Sequence, residues 1–122
     1  MWESDTEALI DVLRLARGMT YKAAISGLNL GGGKAVILDN ADKLKNEALL
    51  RRFGRFVESL NGKYVTAQDV NMSQDDMEFI SMEATHVSGL AESIGGGGDP
   101  SPVTAHGVYV GMKASAKKSL WQ

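Results

Sequence analysis

Apolar residues recur at helical spacing along the first 27 positions of the chain. Ser4 and Glu7 fit a capping box, and alanine, leucine and valine then follow every three or four residues. Gly18 is expected to end this helix, because glycine readily adopts the left-handed conformation found at helix C-termini. Thr20 can cap a second, short helix that Gly27 ends. The pattern therefore predicts two helices that separate near Gly18.

Three further helices are predicted by spacing and capping residues. Residues 43–60 form the strongest amphipathic pattern in the chain. Ser73 and Asp76 mark another helix start, as the cap and the third position. The side chains expected to face inward from that helix are Met77, Ile80 and Ala84. Ser101 can cap the last helix, which runs over residues 103–120.

Short apolar runs predict three strands, at residues 35–38, 63–66 and 85–88. Asp69 follows the second of these at its C-terminal end. In open α/β sheets ligands bind at that end of the strands, which makes Asp69 a candidate site residue. The alternative is that Asp69 only caps a turn or a helix, a common position for aspartate.

Three consecutive glycines, residues 31–33, stand immediately before Lys34 and the first apolar run. A backbone without side chains can adopt positive φ and allow close approach, so a lysine here is held beside an open surface. A phosphate-binding P-loop does not fit, because Leu28 replaces its first glycine and Ala35 replaces the Ser or Thr that binds magnesium. The remaining alternative is a glycine-rich turn with a solvated lysine.

Composition excludes several classes of protein. The 122 residues suffice for one domain or a piece of one, and 13 basic against 15 acidic residues argue against non-specific nucleic-acid binding. Without cysteine there are no disulfides, and His86 and His106 lack partners at metal-ligand spacing, so no metal site is expected. The acidic first residues and the lack of a long apolar run indicate a cytoplasmic protein that does not bind membranes.

Four segments, taken together and in order, resemble a known family. They are residues 15–22 (Leu-Ala-Arg-Gly-Met-Thr-Tyr-Lys), 31–37 (Gly-Gly-Gly-Lys-Ala-Val-Ile), 66–70 (Thr-Ala-Gln-Asp-Val) and 99–105 (Asp-Pro-Ser-Pro-Val-Thr-Ala). The family is that of the glutamate/leucine/phenylalanine/valine dehydrogenases, and the leucine and phenylalanine branch is most similar. The resemblance implies an α/β fold, with helices packed on a small mixed sheet as in the substrate-binding and dimerisation domain of that family.

The family oxidises an L-amino acid to a 2-oxo acid and passes a hydride to NAD. The resemblance implies that Lys34 is the catalytic lysine and that Asp69 is its acid/base partner. It also implies that Lys22 binds the carboxylate of the L-amino acid or 2-oxo acid. A fixed ammonium suits a carboxylate, and a lysine beside a carboxylate provides two proton sites at the reacting carbon.

The other implied site residues surround the substrate side chain and the cofactor. Those implied to line the substrate pocket are Met19, Ala67, Gly32 and Gly33. Ser88 and Thr104 match positions near the nicotinamide of NAD, where Thr104 holds the carboxamide.

A Gly-x-Gly-x-x-Gly fingerprint after a strand is absent, since the glycines at 95–98 lack a preceding strand. We therefore expect residues 1–122 to be a partial substrate-binding and dimerisation domain without a Rossmann domain, in which the helix at 103–120 leads toward the missing NAD-binding domain. We expect the isolated chain to be inactive and to form a homo-oligomer. The alternative is a stand-alone domain that oligomerises, or binds an amino or oxo acid, without catalysis.

Overall fold

The computed structural model describes residues 2–38 and 41–120, which fall into two compact units. The first unit ends at Ser88 and the second begins at Gly89. The elements of the first unit are α1 (Asp5–Ile25), α2 (Ala41–Leu44), α3 (Glu47–Ser59), β1 (Thr66–Ala67), α4 (Gln74–Ser81) and β2 (Val87–Ser88). Those of the second are a 3-10 helix (Glu92–Ile94) and α5 (Ser101–Leu120).

Helix α1 is one continuous helix, so the predicted division near Gly18 is wrong. Its start is as predicted, because the Ser4 side chain accepts a hydrogen bond from the Glu7 amide at 3.2 Å. The Glu7 carboxylate reaches back to the amide of Glu3 at 2.8 Å. A methyl group at position 18 would meet no atom within 4 Å, so the helix passes through this glycine without a steric reason to stop.

The C-terminal end of α1 is marked by Gly27, as predicted. Gly27 has a φ of 72°, and its amide donates to the carbonyl oxygen of Ala24 at 3.1 Å. Thr20 does not act as a helix cap, since it lies inside α1 and its hydroxyl donates to the carbonyl oxygen of Ala16 at 3.3 Å. Its hydroxyl oxygen remains able to accept a bond from outside the helix.

The core lies between α3 and α4. The fully buried side chains of these two helices are Leu50, Val57, Met77 and Ile80, and Ala84 is also buried just after α4. The inward-facing set predicted for α4 is therefore confirmed. Gly54 of α3 lies so close to α4 that a methyl group there would be 2.5 Å from the Ile80 carbonyl oxygen.

The predicted helix at residues 43–60 is two helices. Helix α3 begins at Glu47 because Asn46 caps it, with its side-chain oxygen accepting from the Leu49 amide at 3.0 Å. The short α2 precedes this cap. Phe56, which belongs to the apolar set of the predicted helix, is 60% exposed, so the periodicity overestimates the buried face.

The sheet in the described residues consists of two parallel strands. Thr66 of β1 pairs with Val87 of β2, and Ala67 pairs with Ser88. The α/β class is confirmed as a mostly helical fold with a small sheet. Residues 35–38, predicted to be a strand, have an irregular backbone, because no described strand pairs with them.

Helices α4 and α5 begin differently. Ser73 and Asp76 form the predicted capping box, with reciprocal hydrogen bonds between side chains and backbone. Ser101 is the first residue of α5 rather than its cap, and the Asp99 carboxylate accepts from its amide at 2.9 Å and its hydroxyl at 2.6 Å.

In the described part of the chain, no helix combines the length and hydropathy needed to cross a membrane.

Candidate functional site

The side chains of Lys34 and Asp69, 35 positions apart in sequence, form an ion pair. The Lys34 ammonium donates to the Asp69 carboxylate. The lysine side chain is 21% exposed and the aspartate side chain 48%, so the pair is open to solvent on the aspartate side. A cation and an anion are thus in direct contact at a place that a small molecule can reach.

The glycine loop that carries Lys34 is held by close contacts. The Gly32 amide donates to the Thr20 hydroxyl at 3.0 Å, and a methyl group at position 32 would collide with the Ala16 carbonyl oxygen of α1. A methyl group at position 33 would lie 2.6 Å from two ring carbons of Tyr64. None of the three glycines has a positive φ, so close approach, not backbone conformation, requires glycine at positions 32 and 33.

Asp69 lies in a turn between β1 and α4. Its carboxylate accepts from the Val70 amide at 2.7 Å, and its carbonyl oxygen accepts from the Met72 amide at 3.0 Å. Gln68 donates its side-chain amide to the Met72 carbonyl oxygen at 3.1 Å, and Asn71 adopts a φ of 62°. The turn folds back on itself and fixes the direction of the carboxylate.

The electrostatic surroundings keep Asp69 ionised. Partial burial raises the pKa of the Asp69 carboxyl. The hydrogen bonds from Lys34 and the Val70 amide, together with the charges of Lys34 and Lys22, lower this pKa by a larger amount. The net pKa is below the ordinary value. The charge of Lys22 is the smallest of these contributions. The structure joins Lys34 and Asp69 by a direct contact, and no hydrogen bond or ion pair of Lys22 with either is present in the described residues.

Sequence reasoning missed Lys45, which fastens the turn after Asp69. Its ammonium donates to the Asn71 carbonyl oxygen at 3.0 Å and to the Asp76 carboxylate at 2.7 Å. These partners are 26 and 31 positions away, and only the capping box at Asp76 had a local signal. Thr20 was assigned the wrong role, and nothing in the sequence placed Tyr64 against the glycine loop.

The remaining predicted residues lie on regular elements. Met19 is on α1, next to Thr20. Ala67 of β1 is paired in register with Ser88 of β2, which places these two residues side by side at the strand ends. Thr104 is on α5, in the second unit. Among the residues that the structure describes, no three His, Asp or Glu side chains converge to hold a metal ion.

Residues 1–86 match the sequence profile described as the Glu/Leu/Phe/Val dehydrogenase dimerisation domain. This match covers more than half of the 122 residues, and the matched segment contains Lys22, the glycine loop with Lys34, and Asp69. The chain belongs to the Glu/Leu/Phe/Val dehydrogenase family.

Individual members of the family are highly similar to this chain in sequence. Leucine dehydrogenase from Geobacillus stearothermophilus is 56% identical over 120 residues, which is 98% of this chain and 33% of that protein. L-tryptophan dehydrogenase from Nostoc punctiforme is 52% identical over 119 residues, again 98% of this chain and 32% of the relative. A crystal structure of the Nostoc punctiforme L-tryptophan dehydrogenase superimposes with a TM-score of 0.71 at 45% identity, covering 99% of this chain and 33% of that one. The chain thus spans about a third of the length of these relatives.

Proposed function

We propose that this chain supplies the catalytic and substrate-binding part of an NAD-dependent L-amino-acid dehydrogenase. The reaction is the oxidative deamination of a branched-chain or aromatic L-amino acid, such as leucine, to a 2-oxo acid and ammonia. One observation carries the proposal: the ion pair of Lys34 and Asp69, within range of the charge of Lys22. It occurs in a chain 56% identical to a leucine dehydrogenase.

The three charged residues divide the chemistry among them. The Lys22 ammonium binds the substrate carboxylate, which leaves the α-carbon facing the ion pair. The Asp69 carboxylate takes a proton from the substrate amino group. Lys34, once its ammonium has given up a proton to solvent, takes a proton from the attacking water. As the ammonium it then donates a hydrogen bond to the oxygen that becomes the carbonyl group. Because Lys34 and Asp69 are hydrogen-bonded, a proton released at one can be held at the other.

When bound, NAD would supply the acceptor for the hydride of the α-carbon. By resemblance to the family, Thr104 would hold the carboxamide of the nicotinamide, and its side chain is exposed. Ser88, whose side chain is also exposed, would lie near the nicotinamide. Met19, Ala67, Gly32 and Gly33 line the pocket for the substrate side chain, and α5 would lead toward an NAD-binding domain.

A chimera provides the test, because the relatives are three times as long. This chain replaces the matching third of the Geobacillus stearothermophilus leucine dehydrogenase, and NADH formation is measured with leucine, phenylalanine and valine. We expect activity in the chimera, and a loss of at least roughly 100-fold in Lys34→Met and in Asp69→Asn. The matched controls are Lys63→Met and Asp75→Asn, two exposed residues that should leave the rate unchanged.

The outcomes separate two functions. A folded chimera that is inactive with both site residues intact would contradict the catalytic proposal. It would leave a domain that binds an amino or oxo acid, or one that only oligomerises. Calorimetric titration of the 122-residue chain with leucine and its 2-oxo acid, before and after Lys22→Ala, then decides whether the same pocket binds these ligands.

Self-association is a further part of the proposal. The matching family profile is described as a dimerisation domain, and helix α1 exposes several large apolar side chains. The most exposed of them are Leu9, Leu13, Tyr21 and Ile25. Sedimentation velocity of the chain over a range of concentrations tests for a homo-oligomer, and a monomer at all concentrations would contradict this part.

A further inference from the structure

The hydroxyl of Thr20 is the polar link between helix α1 and the glycine loop. It donates to the Ala16 carbonyl oxygen at 3.3 Å, a bond within the helix. It also accepts from the Gly32 amide at 3.0 Å, a bond to a residue 12 positions away. Because a threonine hydroxyl can donate once and accept twice, both bonds form at the same time.

Gly32 lies so close to α1 that the contact leaves no room for a side chain. A methyl group at position 32 would collide with the Ala16 carbonyl oxygen and with the backbone nitrogen of Thr20. These are backbone atoms inside a continuous helix and cannot move aside cheaply. The hydrogen bond to Thr20 therefore sets the direction of the loop at a point where the glycine lies directly on α1.

Lys34 follows Gly32 by two residues, so its Cα lies within about 7 Å of this anchor. Lys22, on the other hand, belongs to α1 itself, two residues beyond Thr20. The same threonine thus stands between the helix that carries one lysine and the loop that carries the other. A shift of the loop would change the position of Lys34 relative to Lys22 on α1 and relative to Asp69.

We infer that Thr20 is a positioning residue for the reaction: through its bond to the Gly32 amide, it sets the position of Lys34 relative to the carboxylate-binding Lys22. The inference rests on the proposed function. It assigns Thr20 no contact with the substrate. Its effect passes through the glycine loop, and it is carried by the hydroxyl group rather than by the size of the side chain.

Thr20→Val and Thr20→Ser separate these two properties in the leucine dehydrogenase chimera. Valine keeps the volume and the β-branch of threonine but cannot accept from Gly32, whereas serine keeps the hydroxyl. Because misplacement of a catalytic group by about 1 Å can cost on the order of 100-fold, we expect kcat of Thr20→Val to fall by roughly 10- to 100-fold. The KM for leucine should change less than kcat, since Lys22 stays in place on the helix, and Thr20→Ser should recover most of the rate.

The control is Thr6→Val, the same replacement at an exposed position of the first turn of α1. It makes the same change of side chain but lies far from the loop in sequence, and its kcat should equal that of the unchanged chimera. If Thr20→Val is as active as Thr6→Val, or if Thr20→Ser is as impaired as Thr20→Val, the positioning role is wrong. An inactive unchanged chimera, or an active Lys34→Met variant, would instead contradict the proposed function.

A second readout does not depend on activity. In the 122-residue chain, hydrogen exchange of the Gly32 amide reports on its bond to Thr20. Exchange should accelerate by roughly 10-fold or more in Thr20→Val and not in Thr20→Ser, because a hydrogen-bonded amide must open before it exchanges. Unchanged exchange at Gly32 in Thr20→Val would overturn the inference.

Discussion

The Lys45 ammonium donates to the Asp76 carboxylate at 2.7 Å, and the same carboxylate oxygen accepts from the Ser73 amide at 2.7 Å. Lys45 also donates to the Asn71 carbonyl oxygen. One lysine before α3 therefore ties the start of α4 to the turn that follows Asp69. The stability of α4 and the position of the candidate site depend on the same contacts.

Asp76→Ala should lower the free energy of unfolding by roughly 1–2 kcal/mol, since it removes a capping-box partner and leaves Lys45 without its anion. The matched control is Asp75→Ala, one residue earlier in the first turn of α4, where the side chain is exposed. Urea denaturation of the 122-residue chain measures both variants. Equal losses would mean that the Lys45–Asp76 contact contributes nothing beyond the charge at the helix start.

The contribution of Asp76 to the free energy of unfolding should also depend on pH. Burial raises the pKa of its carboxyl, but the hydrogen bonds from Lys45 and Ser73 outweigh burial and leave the pKa below the ordinary value. A carboxyl group with a lowered pKa in the folded state stabilises the fold at pH values above its unfolded pKa, and this stability is lost as the pH falls through the folded pKa. The deficit of Asp76→Ala should thus be full at pH 7 and narrow below about pH 4.

Urea denaturation of the chain and of Asp76→Ala at pH 7 and pH 3 checks this expectation. Other carboxyl groups with lowered pKa values, such as Asp69, contribute equally to both proteins and cancel in the comparison. A deficit that is the same at both pH values would show that Asp76 acts through packing rather than through its charge.

Two glycines inside helices should respond to alanine in opposite directions. At Gly54 a methyl group would lie 2.5 Å from the Ile80 carbonyl oxygen and 3.0 Å from the Glu83 Cβ. We expect Gly54→Ala to destabilise the chain by about 1–3 kcal/mol, because overpacking between α3 and α4 outweighs the gain in helix propensity. Gly18→Ala meets open space and should stabilise the chain by about 0.5–1 kcal/mol.

Thermal unfolding of the two variants beside the unchanged chain gives the comparison. A stabilised Gly54→Ala would mean that α3 and α4 are less closely packed than their backbone contact indicates. A destabilised Gly18→Ala would mean that α1 does not continue through Gly18.

Local signals predicted the starts of α1 and α4. The caps at Ser4 and Ser73 depend on residues three positions away, so the sequence contains all of the relevant chemistry. Gly18 was misread because a glycine permits a helix to end but does not force it to. The strand at residues 35–38 was misread because a strand requires a partner, and periodicity does not reveal whether one is present.

The candidate site was predictable only through the resemblance to a family. Sequence spacing does not predict that Lys34 pairs with Asp69, since the two residues are 35 positions apart. The residues that hold the two loops were not predictable. Thr20 accepts from a glycine amide, and Lys45 donates to a backbone carbonyl oxygen. Every residue type has these backbone groups, so the sequence does not show which distant residue supplies them.

The glycine loop offers a last test of the site, because adjacent glycines differ in their surroundings. A methyl group at position 31 meets no atom within 4 Å, whereas one at position 32 would collide with the backbone of α1. In the leucine dehydrogenase chimera we expect Gly32→Ala to lower kcat by more than roughly 10-fold, since the loop must move away from α1 and carry Lys34 with it. Gly31→Ala should retain the rate within about twofold, because surface substitutions without new contacts have small effects. If the two variants are equally active, the contact with α1 does not determine where Lys34 stands.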